Sequence, residues 1–311
     1  MRLLVCDPTS PEAIRAMRDA GIEVDVQDSI TPEGLAAVIG GFDAIVVRGR
    51  TKVRSALLEK APGLRLVVRG GVGLDNIDVD YAESRGVQVR NTPGASSNSV
   101  AELVVGYLFA LARSIPQATA SLKDGLWDKR ALSRGTELRG KTLGIVGCGR
   151  IGTLVAEKAI ALGMEVLYYR RSRTSVCGAR QVPLDELLRL SDFVTLHLPL
   201  TPDTYHLIGA AEIAALKRGA YIVNCGRGGT LDEGALYDSL VSGQVAGAAL
   251  DVFEDEKQDR GARVLALPNV IGSPHIGAGT LEAKGRVGEE VALIAIEFAQ
   301  ALAPGPESEG R

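Results

Sequence analysis

The sequence predicts an α/β protein of two doubly wound parallel-sheet domains, and three observations carry the prediction. Short β-branched runs alternate with helical segments from Leu3 to Val89, and a second series of the same kind starts at Lys141. Near the head of that second series the glycine-rich turn Gly147-Cys148-Gly149-Arg150-Ile151-Gly152 stands between an apolar run and a helical one. With 311 residues, 46% of them hydrophobic, the chain is long enough for two packed cores.

The first series places strands at 3–6, 24–26, 44–47, 66–68 and 87–89. The pattern breaks at Asn91-Thr92-Pro93-Gly94, after which Ser97 or Asn98 can cap a long helix over 100–112, so the chain crosses here into its second domain. That domain takes strands at 143–146, 166–169, 193–196, 221–223, 246–250 and 270–271, with a helix over 151–162 after the glycine turn. A long amphipathic helix over 281–302 follows the completed sheet and is expected to return to the first domain. The resulting division is 1–94 with 282–303 as one domain, 95–281 as the other, and a Pro-, Gly- and Glu-rich tail, 304–311, expected to be disordered.

A strand that feeds a glycine turn and then a helix N-terminus cradles a pyrophosphate. The first glycine permits the tight turn, the second lets backbone approach the phosphates, and the third lets helix pack on strand. A net charge of −3 and a pI near 5.8 give no basic field for nucleic acid or an anionic membrane. A small soluble ligand is therefore the expected partner. Cys6, Cys148, Cys177 and Cys225 lack metal-type spacing and read as reduced thiols, and no metal is expected. No apolar run reaches the roughly 18 residues of a membrane span, and 1–6 is too short for a signal peptide, so a cytoplasmic protein is expected.

The chain has three histidines. His275, in Gly272-Ser273-Pro274-His275-Ile276-Gly277, follows the last strand and faces the ligand edge of the sheet; a turn histidine is the competing reading. Arg227, in Asn224-Cys225-Gly226-Arg227-Gly228-Gly229, follows another strand at the same edge. A guanidinium there can bind a carboxylate by two hydrogen bonds and polarise a neighbouring carbonyl. The stretch Asp251-Val252-Phe253-Glu254-Asp255-Glu256 offers carboxylates that could pair with the other nitrogen of His275 and fix its tautomer; charge alone leaves Glu254, Asp255 and Glu256 equally eligible. His197 reads as ordering a loop near the nucleotide and His206 as a surface residue.

The glycine turn, 224–229, 251–256 and 273–277 together resemble the ordered signatures of the D-isomer-specific 2-hydroxyacid dehydrogenases, over nearly the whole chain. Within that family, 115–127 and 135–142 most resemble the serine-biosynthetic 3-phosphoglycerate dehydrogenases. The resemblance implies a Rossmann cofactor domain inserted into a flavodoxin-like substrate domain, and hydride transfer between a nicotinamide cofactor and a 2-hydroxy or 2-keto acid. It implies Arg227, Glu256 and His275 as the catalytic set. It assigns cofactor contacts to Gly147, Gly149, Arg150, Ile151, Gly152, Arg170 and Arg171, and further along the edge to Leu198, Pro199, Cys225, Gly226, Asp251 and Gly277. In the first domain it implies that Gly70 and Gly71 amides hold a substrate carboxylate and that Arg48, Arg50 and Arg69 hold a substrate phosphate. A homodimer through 100–113 and 127–137 is also implied.

Three departures from the family pattern stand out. Lys257 replaces the usual proline after the catalytic acid, and Val72 a common threonine. Arg170 stands where NAD-preferring relatives have an acid at the end of the second nucleotide-domain strand. An arginine lacks acceptors for ribose hydroxyls and supplies a counter-charge for a 2′-phosphate, so NADP(H) is favoured over NAD(H), with adenine stacking and use of both as the alternative. The chain ends soon after the returning helix, so a C-terminal regulatory domain and inhibition by serine are not expected. The open alternatives are an NADP(H)-dependent hydroxypyruvate or glyoxylate reductase and, more remotely, a dinucleotide-sensing corepressor.

Overall fold

The computed structural model describes residues 1–172, 175–176, 178–256 and 261–302. Arg173, Cys177, Lys257 and the expected tail 304–311 lie outside the described residues. The chain splits into two compact units, Met1–Ser96 with Ala278–Arg311, and Ser97–Gly277.

The first unit is built on five parallel strands, β1 (Arg2–Val5), β2 (Glu23–Val26), β3 (Ala44–Val47), β4 (Leu66–Arg69) and β5 (Gln88–Asn91), in the order β2-β1-β3-β4-β5. Period-two alternation divides their side chains between two cores. Leu3, Val5, Val46, Leu66 and Val68 face one side, where Met17 and the helix Leu281–Leu302 cover them. Leu4, Ile45, Val47 and Val67 face the other, under Leu35, Leu58 and Ala82. Ala283, Val287, Val291, Ala295 and Phe298 recur at three- and four-residue spacing along Leu281–Leu302, which is the stripe that the first unit buries.

The second unit carries β6 (Thr142–Val146), β7 (Glu165–Tyr169), β8 (Ala179–Gln181), β9 (Phe193–Leu196), β10 (Ala220–Asn224), β11 (Val245–Leu250) and β12 (Val270–Gly272), all parallel, in the order β12-β11-β10-β9-β6-β7-β8. The strand order reverses about β6, and its two sides are the arms of a dinucleotide-binding sheet. Helices Ser97–Arg113 and Arg150–Ala161 cover Leu143, Ile145, Phe193 and Val223 on one face. Leu187, Leu236 and Leu240 cover Val194, Leu196 and Ile222 on the other.

Some expected boundaries differ. Ser97 and Asn98 lie inside the helix, which begins at Ser97, instead of capping it from outside. The fifth strand is Gln88–Asn91, because the Val87 amide closes the preceding helix on the Ala82 carbonyl and pairing with β4 runs on to Asn91. The edge strand Ala179–Gln181 was not expected: it is three residues long and has no β-branched side chain. Among the described residues no single helix is long and apolar enough to cross a membrane.

Candidate active site

Sheet register brings the loops of the second unit to one edge. Val146 pairs with Tyr169 and Leu196, Asn224 with Leu196 and Leu250, and Leu250 with Gly272, so all six strands stop level. The glycine turn, Arg170, the 197–199 segment, Arg227, Glu256 and His275 each follow one of these ends. Parallel strands and the usual connections put ligands at this edge.

The turn has the geometry its glycines require. Gly147 adopts φ 95 and its amide donates to the Tyr169 carbonyl at 3.0 Å. A Cβ at Gly147 would lie 2.7 Å from the His197 carbonyl oxygen, and one at Gly152 2.7 Å from the Gly147 carbonyl oxygen. Gly149, the N-cap of Arg150–Ala161, has open space where its Cβ would be, which is where a phosphate can approach the helix N-terminus. Arg150 and Ile151 form the first turn of that helix, and Leu198 packs against Gly147. Pro199 is exposed beyond it.

Arg227 is held by its own loop. Asn224 accepts the Gly226 amide at 3.0 Å and donates to the Arg227 carbonyl at 3.1 Å, while Nη1 of Arg227 donates to the Gly226 carbonyl at 2.8 Å. A Cβ on Gly228 would fall 1.9 Å from the Phe253 carbonyl oxygen, so the arginine loop and the acid loop touch through backbone. Cys225 is buried, and burial pushes its thiol well above the usual range, so it is no nucleophile.

Nδ1 of His275 lies 3.0 Å from Oε1 of Glu256. The hydrogen bond from His275 holds the Glu256 carboxyl below its usual range, against the opposing effect of burial; the charge of His275, an amide bond from Phe253 and the charge of Arg227 add to the depression. Arg227, Glu256 and His275 therefore form one electrostatic group. The structure separates Glu256 from Glu254, which charge alone left equal. Glu254 instead meets Nε2 of His206 at 2.9 Å and the Glu233 amide at 3.1 Å. His206, expected at the surface, is part-buried, stacks on Tyr205 with centroids 4.0 Å apart and has Nδ1 3.7 Å from Asp232. Its two nitrogens face different carboxylates, and one ligand atom each from His206, Asp232 and Glu254 lies within 4.8 Å of the others.

Asp251 and Gly277, both expected at the cofactor, are hydrogen-bonded to each other. Asp251 is 1% exposed, and its carboxylate accepts the amides of Ile276 and Gly277 at 2.8 Å, together with the Ser273 hydroxyl. It is an anchor for the His275 loop, and the Gly277 amide is spent on it. His197 is half-buried, with Nδ1 shielded from solvent and Nε2 3.0 Å from the Thr195 hydroxyl; burial pushes its pKa down to about 4, so the ring is neutral.

At the end of β7, Arg170 Nη1 donates to the Cys148 carbonyl at 3.2 Å, and Gln181 donates to the carbonyls of Arg170 and Ser172. Arg171 pairs with Asp203 at 3.5 Å, both side chains exposed. A cavity of about 750 Å³ is lined by Tyr169, Arg170, Arg171, Ser175, Gln181, Val182 and Pro183, without a carboxylate among them. A second cavity, about 560 Å³, borders Glu256 and His275 together with Phe253, Leu265 and Pro274.

In the first unit the expected anion contacts divide. Arg50 Nε donates to buried Asp7 at 2.9 Å and its Nη2 to the carbonyls of Cys6 and Asp28, so its guanidinium braces the loop. The Gly70 amide donates to the Val47 carbonyl at 2.8 Å and is not open to a carboxylate. Arg48, Arg69 and Gly71 keep positions at the strand ends; the Arg69 guanidinium covers Gly71, which adopts φ 144. Asp7, which also accepts the amides of Arg48 and Thr51, was missed in the sequence, although an acid two residues beyond the buried Leu3-Leu4-Val5 run is a signal for it.

Comparison with known proteins follows the same lines. The family model for the D-isomer specific 2-hydroxyacid dehydrogenase NAD binding domain matches residues 105–277. The chain is 48% identical to D-3-phosphoglycerate dehydrogenase of Methanocaldococcus jannaschii over 297 residues, 94% of this chain and 56% of that protein. The chain belongs to the D-isomer specific 2-hydroxyacid dehydrogenase family. A full-length relative, hydroxypyruvate reductase of Thermotoga maritima, is 46% identical over 93% of this chain and 95% of that one. Among solved structures of the family, D-lactate dehydrogenase from Aquifex aeolicus, complexed with NAD and lactic acid, superposes with a TM-score of 0.86 at 30% identity, covering 97% of this chain and 96% of that one. The chain thus spans about half the length of the D-3-phosphoglycerate dehydrogenase it matches.

Proposed function

We propose that this chain is a cytoplasmic, homodimeric oxidoreductase that interconverts a D-2-hydroxy acid and its 2-keto acid with a nicotinamide cofactor, most like a 3-phosphoglycerate dehydrogenase. The observation that carries the proposal is the 3.0 Å contact between Glu256 and His275 beside Arg227, on the sheet edge that also bears the glycine turn.

The residues present fit a dinucleotide. The open space at Gly149 and the helix N-terminus behind it suit a pyrophosphate, and the carboxylate-free cavity at Arg170 suits an adenosine end. A nicotinamide bound there supplies or accepts hydride. Glu256 accepts from Nδ1 of His275, so the proton exchanged with the substrate oxygen sits on Nε2. The depressed carboxyl stays ionised and stabilises the imidazolium needed for 2-keto acid reduction. Arg227 binds the substrate carboxylate and stabilises the oxygen that gains charge during reduction. On the first unit, Arg48 and Arg69 are the proposed holders of a substrate phosphate, with the Gly71 amide for a carboxylate.

Arg170 supports NADP(H) as the preferred cofactor, because a guanidinium at the end of β7 favours a 2′-phosphate over a bare ribose diol. The second reading, an NADP(H)-dependent hydroxypyruvate reductase, draws on this and on the full-length relative of that name. Dimer formation is supported by exposed Ile115, Leu122, Leu126 and Trp127 on one stretch of chain.

Steady-state kinetics with NADH and NADPH against phosphohydroxypyruvate, hydroxypyruvate and glyoxylate test these readings together. The expected result is reduction of phosphohydroxypyruvate with higher kcat/KM for NADPH. Equal efficiency with both cofactors removes the Arg170 argument, and no loss on deleting the substrate phosphate removes the roles of Arg48 and Arg69.

A further inference from the structure

A part-buried chain of hydrogen-bonded side chains joins the helix Ser97–Arg113 to the loop that carries His275. Tyr107, on that helix, is 7% exposed, and its hydroxyl is hydrogen-bonded to the Ser273 hydroxyl. Ser273 in turn donates to Oδ1 of Asp251. Ser273 has one hydroxyl hydrogen and gives it to Asp251, so the Tyr107 hydroxyl is the donor to Ser273. Burial pushes the Tyr107 pKa up to about 12, which keeps that donor protonated.

The end of the chain holds both flanks of His275. Asp251 accepts the amides of Ile276 and Gly277 through its carboxylate, and its carbonyl accepts the His275 amide at 2.9 Å. His275 itself adopts φ 54, a left-handed conformation that a residue with a Cβ keeps only where its surroundings impose it. The Asp251 bonds are that imposition, and Ser273 and Tyr107 fix the rotamer and position from which they are made. Packing alone does not account for the tyrosine: Val104, Leu108 and Leu111 on the same helix fill the same core without a polar atom, and a phenylalanine would fill it as well.

We propose that Tyr107 is a positioning residue for the dehydrogenase reaction, acting through Ser273 and Asp251 to hold the His275 ring against Glu256. The proposal rests on the reading of His275 as the proton-transferring group. Tyr107 touches neither substrate nor cofactor; it sets the orientation of a residue that meets substrate.

Tyr107→Phe and Ser273→Ala test it, alone and combined, with two independent readouts. In steady-state reduction of a 2-keto acid, each variant is expected to lose about tenfold in kcat while the cofactor Kd stays within about twofold, and the double variant to lose no more than either single one. Because the chain has three histidines, the imidazole signals of ¹⁵N-histidine-labelled protein can be assigned with His275→Ala. Tyr107→Phe is expected to move the His275 signals and leave those of His197 and His206 in place. Unmoved His275 signals, or wild-type kcat in Tyr107→Phe, would overturn the proposal. A wild type that reduces no 2-keto acid would remove the functional reading, and the imidazole signals would still decide the role of Tyr107.

Discussion

Oε1 of Glu256 sits 3.0 Å from Nδ1 of His275, which leaves Nε2 as the ring nitrogen that the proposed proton transfer uses. Glu256→Gln keeps the shape and removes the charge, and turnover is expected to fall by about 10- to 100-fold. The same substitution has a signature in stability. The folded-state pKa of Glu256 is lowered, so its contribution is present above the ordinary value of 4.5 and is lost as pH falls through the lowered value. Thermal melts on either side of pH 4.5 should show a smaller acid-side loss in Glu256→Gln than in the wild type.

His197 gives a second, separable pH window. Its imidazole stays neutral in the fold, so between pH 6.5 and about 4 the unfolded chain binds the additional proton. Stability therefore falls as pH falls through this interval, by up to roughly 3 kcal/mol for a shift of this size. Denaturant unfolding across the interval should show a flatter profile for His197→Gln, and an unchanged profile would contradict the burial argument.

Gly228 is where the arginine loop meets the acid loop. A Cβ there would stand 1.9 Å from the Phe253 carbonyl oxygen, so Gly228→Ala must push the two backbones apart. The expected cost is about 1–3 kcal/mol in stability, with a fall in kcat larger than any change in cofactor Kd. Calorimetry and single-turnover kinetics on the same preparation check both parts.

Arg48 and Arg50 are two residues apart and are expected to behave differently. Arg50→Met leaves the buried Asp7 carboxylate short of a charged donor and should lower the melting temperature. Arg48→Met should leave the melting temperature nearly unchanged and raise KM for phosphohydroxypyruvate about tenfold, with little effect on hydroxypyruvate. The reverse pattern would exchange the two roles.

The long elements were legible because their physics is local. Buried parallel strands read as apolar runs, and Leu281–Leu302 reads as a helix from the spacing of Val287, Val291, Ala295 and Phe298. Edge strand Ala179–Gln181 has neither signal, since its side chains are only partly covered. In the site, Arg227 and His275 were visible as polar residues set just after strands, but charge alone did not choose Glu256 over Glu254; the family resemblance did. Both acids occupy one loop, and only the fold shows that His206 takes one and His275 the other. The partners of Arg50 and Gly70 were hidden for the same reason. Asp7 and the Val47 carbonyl are 43 and 23 residues away and come close only through sheet pairing.

The central claim is that His275, set by Glu256 beside Arg227, moves the proton in a nicotinamide-dependent reduction of a 2-keto acid. Its most direct test is pre-steady-state oxidation of reduced cofactor by wild-type protein and His275→Ala on mixing with phosphohydroxypyruvate, with cofactor affinity measured in parallel. The account predicts rapid oxidation by the wild type and a loss of at least about a thousandfold in the variant, with the cofactor Kd nearly unchanged. Oxidation at the wild-type rate by His275→Ala would contradict it.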